Sequence, residues 1–126
     1  GNPLACASAL AVLDVFEKEN LLQRSRDMGS HLVTGLKAIA AKHKSIGDVR
    51  GAGAMVAIEL FKNGDPHQPD ADLTKRIAAE AAQRGLILLT CGIYANVIRV
   101  LVPLVASDAL IDEGLSIMAA AFDAVA

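Results

Sequence analysis

Aromatic residues are scarce in this chain of 126 residues, which contains three Phe, one Tyr and no Trp. Apolar residues nevertheless make up 53% of the sequence, and alanine dominates them. A chain of this length fits one domain and can bury enough surface to form a core. Few aromatic and many alanine residues favour closely packed helices over an aromatic-lined ligand pocket.

The sequence also lacks an excess of positive charge and any long apolar run. Its formal net charge is -2, and Lys and Arg are scattered, which argues against nucleic-acid binding. No apolar run approaches the roughly 20 residues that a membrane-spanning helix requires. The opening Gly1-Asn2-Pro3 lacks the features of a signal peptide. Because Asn2-Pro3 already indicates a helix start, we expect the chain to be a piece of a larger protein.

Cysteine and histidine are too sparse and too widely spaced to indicate metal chemistry. Cys6 and Cys91 lie far apart, and His31, His43 and His67 form no HxH or HxxxH pattern. We therefore expect no metal site. The low cysteine content favours a reduced, cytoplasmic protein.

Helical periodicity and capping residues predict four helices. Asn2 with Pro3, Asp70 and Ser107 are suitable residues for helix starts. Gly29 and Gly35 interrupt the second helix and are placed to permit a close contact. The predicted helices cover residues 3–16, 21–43, 71–84 and 108–125.

Three apolar stretches predict strands. Residues 54–61 alternate, with Ala54, Val56, Ile58 and Leu60 on one face, and residues 86–90 and 97–102 are placed to pair as a hairpin. Residues 48–53 break the helical pattern and predict a turn. The order α-α-β-α-β-β-α predicts an α/β (α+β) two-layer domain: a small antiparallel or mixed sheet of about three to four strands, with helices on one face.

Arg99 is the most informative residue, because it interrupts the apolar strand Val97-Ile98-Arg99-Val100-Leu101-Val102. A buried guanidinium needs a partner, and arginine can grip a carboxylate with two parallel hydrogen bonds. One interpretation is therefore an arginine that binds a substrate carboxylate. The other is an arginine on the exposed face of an edge strand.

Three further residues carry weaker hypotheses. Arg50 lies in Val49-Arg50-Gly51-Ala52-Gly53, where we favour a structural turn over a phosphate-binding loop. For Glu59, alternation favours a solvent-facing side chain over a salt-bridge partner. For Cys91, a structural and at least partly buried cysteine is favoured over a reactive thiol.

Four segments, in order and spanning essentially the whole chain, resemble the class III aminotransferases. They are Gly1-Asn2-Pro3-Leu4-Ala5-Cys6-Ala7-Ser8-Ala9-Leu10, Ile46-Gly47-Asp48-Val49-Arg50-Gly51-Ala52-Gly53-Ala54-Met55, Gly85-Leu86-Ile87-Leu88-Leu89 and Asn96-Val97-Ile98-Arg99-Val100-Leu101-Val102-Pro103-Leu104. The amino-acid sequences of Leu88–Gly92 and Arg99–Leu104 most resemble those of the bacterial members that act on 4-aminobutyrate. Members that act on ornithine or acetylornithine share the order and spacing of these segments.

This resemblance implies that residues 1–126 form the C-terminal small domain of a fold-type I enzyme that uses pyridoxal 5'-phosphate (PLP). The parent would transfer the amino group of 4-aminobutyrate to 2-oxoglutarate, giving succinate semialdehyde and glutamate. Arg99 would bind the substrate α-carboxylate, and a glutamate upstream would mask it while the shorter substrate is bound. The implied partners are amino and keto acids, the large domain of the same enzyme, and further copies in a homodimer or a tetramer of dimers.

The same resemblance places the PLP lysine, the aspartate at the pyridine nitrogen and the phosphate-binding loop upstream. No lysine here has a matching context, so we expect no catalytic, cofactor-binding or metal residue in this chain. We expect it to be inactive alone, to bind PLP weakly or not at all, and to self-associate through an exposed apolar patch. The alternatives are another class III enzyme, acting on ornithine, acetylornithine or a dialkylglycine, and a stand-alone interaction module without catalysis.

Overall fold

A computed structural model describes all 126 residues and contains four α-helices, four β-strands and one short 3-10 helix, Lys62–Gly64. The helices are α1 Pro3–Lys18, α2 Leu21–Ala40, α3 Ala71–Gln83 and α4 Asp108–Val125. The strands are β1 Ile46–Ala52, β2 Met55–Leu60, β3 Leu89–Cys91 and β4 Val97–Leu101. The four predicted helices are confirmed, although α2 ends at Ala40 rather than at residue 43.

The strands form one antiparallel sheet in the order β1-β2-β4-β3. This confirms the small antiparallel sheet and the predicted pairing of the last two strands. The third strand begins at Leu89, three residues later than predicted, and ends at Cys91. β2 and β4 are therefore the interior strands, and the face of β4 that carries Arg99 lies in the middle of the sheet.

Strand β1 corrects the sequence-based prediction, which treated residues 48–53 as a turn. Residues 48–52 instead belong to β1, and Arg50 pairs with Ala57 of β2. The turn is reduced to Gly53 and Ala54, and a register shift lies between Ile46 and Asp48. The strand is stabilised by its ladder with β2, whereas Gly47 and Gly51 weaken its local strand signal.

The core lies between the sheet and three helices on one of its faces. α2 packs over β1 and β2, α3 contacts β2, β3 and β4, and α4 packs against α2 and α3. The inner face predicted for residues 54–61 is buried, which confirms the alternation of this strand. Helical periodicity places Leu110 on the apolar stripe predicted for residues 108–125, but Leu110 is 58% exposed, because it lies in the first turn of α4. The central buried side chains are Met28, Leu36, Val56, Ile58, Leu60, Ile77, Ile98 and Phe122.

A glycine contact attaches the β1–β2 hairpin to α2. A Cβ on Gly29 would lie 2.0 Å from the carbonyl oxygen of Gly53, so no larger residue fits there without movement. Gly53 itself has a φ of 55°, and the next amide, of Ala54, donates to Ser25 Oγ at 3.1 Å. This close approach fixes the hairpin that carries Arg50 and Glu59.

Helix α1 stands apart from this core. Its start is capped as predicted, with the amide of Leu4 donating to Asn2 Oδ1 at 2.9 Å. None of its residues is buried, and Leu4 and Leu10 are 78% and 66% exposed. No helix of the protein combines the length and apolar composition needed to cross a membrane.

Candidate functional site

The face of the sheet opposite the helices brings the two arginines into one cross-strand row. Arg50 of β1 pairs with Ala57 of β2, Ala57 pairs with Arg99 of β4, and Arg99 pairs with Leu89 of β3. Directly paired residues point to the same side of a sheet. We call this side, which carries Asp48, Arg50, Ala57, Glu59 and Arg99, the open face.

Arg99 is exposed at the centre of the open face. Its neighbour Ile98 is fully buried under the helices, so alternation along β4 directs Arg99 away from the core. It forms no ion pair and no side-chain hydrogen bond within the chain. The side chain is exposed, as the second interpretation predicted, but the strand is interior rather than an edge strand. The guanidinium is thus available to a carboxylate.

Arg50 is in the opposite electrostatic situation. Its Nη1 donates to a carboxylate oxygen of Asp48 and to Glu59 Oε2, the latter at 2.7 Å. Hydrogen bonding to these two carboxylates, with Asp48 contributing more than Glu59, raises the pKa of Arg50 above its ordinary value. The predicted structural turn at Arg50 is therefore wrong: the residue lies on a strand and forms ion pairs with two carboxylates.

Glu59 is held at both of its oxygens, which corrects the solvent-facing prediction. Oε2 accepts from Arg50, and Oε1 accepts from Nδ2 of Asn96 at 3.3 Å. Asn96 is buried and also donates to the carbonyl oxygen of Leu60 at 3.0 Å. Only 23% of the Glu59 side chain remains exposed. The sequence showed that Glu59 points away from the core, but its two partners are set by strand register rather than by local alternation.

Cys91 lies at the end of β3, paired with Val97, and is half-buried as expected.

A cavity of about 430 Å³ lies beside the end of β4, between that strand and α4. Its lining is mostly aliphatic, and its two charged residues are Arg99 and Glu113. Arg99 therefore borders both the open face and this mostly aliphatic cavity.

Arg24 organises the segment after β4, and the sequence analysis missed it. Its guanidinium donates to the carbonyl oxygens of Leu104 and Ala106, at 3.2 and 2.6 Å, and to Asp108 Oδ1 at 2.7 Å. These bonds attach the connection between β4 and α4 to α2. The partners lie at least 80 positions away, so no local pattern could have indicated them.

The residues of this chain do not fit PLP, the cofactor that the resemblance implies. A lysine that forms a Schiff base is usually desolvated or placed beside another cation, which lowers its pKa. All six lysines here are exposed, and none lies on the open face with Arg99. No group of three or more His, Cys, Asp or Glu side chains is arranged to hold a metal ion.

Comparison with known proteins gives a consistent family. The family model described as "Aminotransferase class-III" matches residues 1–122. 4-aminobutyrate aminotransferase GabT of Escherichia coli (strain K12) is 60% identical over 123 residues, covering 98% of this chain and 29% of that protein. 5-aminovalerate aminotransferase DavT of Pseudomonas aeruginosa is 57% identical over 126 residues, covering 100% and 30%.

A solved structure agrees with these relatives. The crystal structure of a Bacillus anthracis aminotransferase superposes with a TM-score of 0.91 at 35% identity, covering 98% of this chain and 29% of that one. The chain thus spans less than a third of the length of the proteins it matches. The matching class is PLP-dependent. Because the family model covers nearly every residue, this chain belongs to the class III aminotransferases.

Proposed function

We propose that this chain is the C-terminal small domain of an aminotransferase that moves the amino group of 4-aminobutyrate to 2-oxoglutarate, and that Arg99 binds the substrate α-carboxylate. The observation that carries the proposal is the unpaired, exposed Arg99 guanidinium at the centre of the open face. The names of the relatives support the reaction class and the type of amino donor.

The role of Arg99 follows from simple electrostatics. A guanidinium offers two parallel donors that match the two oxygens of a carboxylate. In this chain water surrounds that guanidinium, and water weakens any ion pair it makes. A second domain covering the open face would exclude this water and strengthen the contact. We therefore expect useful substrate affinity only in the full-length enzyme.

PLP belongs to another part of that enzyme, where it supplies the electron sink of the reaction. We expect the isolated chain to have no transaminase activity. Titration with PLP should produce no specific Schiff-base absorbance. A saturable absorbance that disappears when one particular lysine is replaced would overturn this expectation.

A second candidate for the amino donor is 5-aminovalerate, because a relative named for it is 57% identical over the whole chain. The two donors differ by one methylene, which a binding pocket discriminates by about 1–3 kcal/mol. The ratio of kcat/KM for the two donors, measured on the full-length enzyme, decides between them. A strong preference for ornithine or acetylornithine would instead favour the other class III activities.

The first experiment is the intact mass of the endogenous protein. A mass near that of a whole aminotransferase subunit supports the proposal. A mass near that of this chain alone would leave a non-catalytic interaction module as the better interpretation.

The role of Arg99 is tested by R99A in the full-length enzyme, with R76A on the exposed surface of α3 as the control. Losing a charged hydrogen-bond partner of about 1.5–3 kcal/mol should raise KM for 2-oxoglutarate roughly 10- to 100-fold. The half-reaction with 4-aminobutyrate, which has no α-carboxylate, should change much less. Equal losses in both half-reactions would contradict the assignment.

A further inference from the structure

We propose that Arg50 is a positioning residue that keeps Arg99 free by occupying the carboxylates of Asp48 and Glu59. The inference rests on the proposed role of Arg99 and adds to it a reason why that arginine is unpaired. It assigns a function to the ion-pair cluster on the open face, which contacts no other charged group.

The sheet register creates the problem that Arg50 solves. Asp48 and Glu59 are directly paired across β1 and β2, so two like charges face each other on the open face. Such pairs are destabilising unless a cation lies between them. Nη1 of Arg50 contacts both carboxylates and provides that cation.

The same register places Glu59 within reach of Arg99. Glu59 pairs with Val97 of β4, so Arg99, two residues further along, is its diagonal neighbour on the same face. Diagonal neighbours in an antiparallel pair lie about 7–8 Å apart at Cα, a gap that long side chains span. An unoccupied Glu59 carboxylate would therefore be an internal competitor for any substrate carboxylate at Arg99.

Two contacts direct Glu59 away from Arg99. Arg50 lies on the β1 side of β2, whereas Arg99 lies on the β4 side, so the bond to Arg50 draws one carboxylate oxygen towards β1. Asn96 holds the other oxygen near the start of β4. The register places only Ala57, with its single methyl group, between the two arginines.

The test measures the side-chain ¹⁵Nε resonance of Arg99, assigned by its absence in R99A, with and without glutarate as the carboxylate probe. In R50A, Arg99 should shift without ligand towards its carboxylate-bound position. In the full-length enzyme its glutarate affinity should fall roughly two- to fivefold, the effect of one partly exposed ion pair. In R50A/E59Q both changes should reverse to within about twofold of the unaltered chain, because the competitor has lost its charge.

Two controls separate positioning from general structural damage. R84A removes an arginine from a comparable pair, with Glu80 on α3, and should leave Arg99 unchanged. R50K keeps the cation and should retain most of the glutarate affinity. If R50A does not fold, R50Q preserves more side-chain volume and must show the same shift and the same rescue by E59Q.

The ligand-free shift of Arg99 in R50A and its reversal by E59Q are the measurements that decide the inference. A ligand-free shift of Arg99 in R50A that E59Q reverses supports the inference, even if glutarate binds weakly. No shift in R50A, or a loss of affinity that E59Q does not reverse, overturns it. Glutarate binding that is unaffected by R99A would instead count against the proposed role of Arg99 and leave the ligand-free measurement to judge Arg50.

Discussion

Helices α1 and α2 follow each other directly along the chain, yet α2 buries six residues and α1 buries none. α1 is the more apolar helix, but its apolar residues are spread around its circumference. α2 is more polar on average and concentrates its apolar residues in one stripe. The difference teaches that a one-sided stripe, rather than apolar content, attaches a helix to this core. An all-round apolar helix is typical of a position covered on several sides, so we expect the rest of the proposed parent enzyme to cover α1.

The largest expected difference between the two helices is in how much a leucine-to-alanine change lowers the free energy of unfolding. Leu36 of α2 is completely buried, so L36A should lower the free energy of unfolding by about 2–5 kcal/mol. Leu10 of α1 is 66% exposed, so L10A should change it by less than about 0.5 kcal/mol. Urea denaturation of both variants checks this. Similar losses would mean that α1 is buried in solution.

Glycine-to-alanine changes in α2 and α4 should have opposite effects on the free energy of unfolding. G29A should lower the free energy of unfolding by about 1–3 kcal/mol, because its Cβ would overlap the carbonyl of Gly53. Gly114 of α4 has its nearest outside atom, on Leu86, at 3.9 Å from a built Cβ. There G114A should stabilise by about 0.5–1 kcal/mol through helix propensity. Thermal denaturation should give opposite signs, and equal signs would refute the close contact.

The exposed apolar surface of α1 should make the isolated chain self-associate. L10E places a charge in that surface and should weaken association, measured by sedimentation equilibrium up to millimolar protein. Q83E adds the same charge to the exposed face of α3 and should have no such effect. A monomeric unaltered chain at millimolar concentration would contradict the prediction.

The smallest expected effect concerns the loop after β2. The backbone N–H of His67 and the side chain of Gln68 both donate to Asp65 and lower its pKa below its ordinary value of 3.8. The bond from His67 contributes more. A lowered pKa contributes stability that is present above pH 3.8 and is lost as the pH falls through the folded-state value. D65N should therefore reduce the loss of thermal stability below pH 3.8. Q68A should do so in part, since it removes only the second donor, and an unchanged acid limb in both variants would refute this.

The comparison of Arg50 with Arg99 marks how far the candidate site could be predicted. The sequence singled out Arg99, because a charge inside an apolar strand is visible locally. The sequence around Arg50 predicts a turn, because Gly51 and Gly53 are typical turn residues and the ladder partners of β1 lie on another segment. The ion pairs of Arg50 and the three bonds of Arg24 depend on strand register and helix packing, which local patterns do not contain.

The sequence by itself determined the helices, the buried face of β2 and the position of Arg99 on its strand. These features depend on interactions between near neighbours: the caps at Asn2, Asp70 and Ser107 all form as predicted, and periodicity fixes which side is apolar. Only the tertiary structure decided that residues 46–52 form a strand, that Arg50 is neutralised and that Arg99 is not. Those outcomes depend on which strands become neighbours and in which register, and the periodicity of a single segment contains neither.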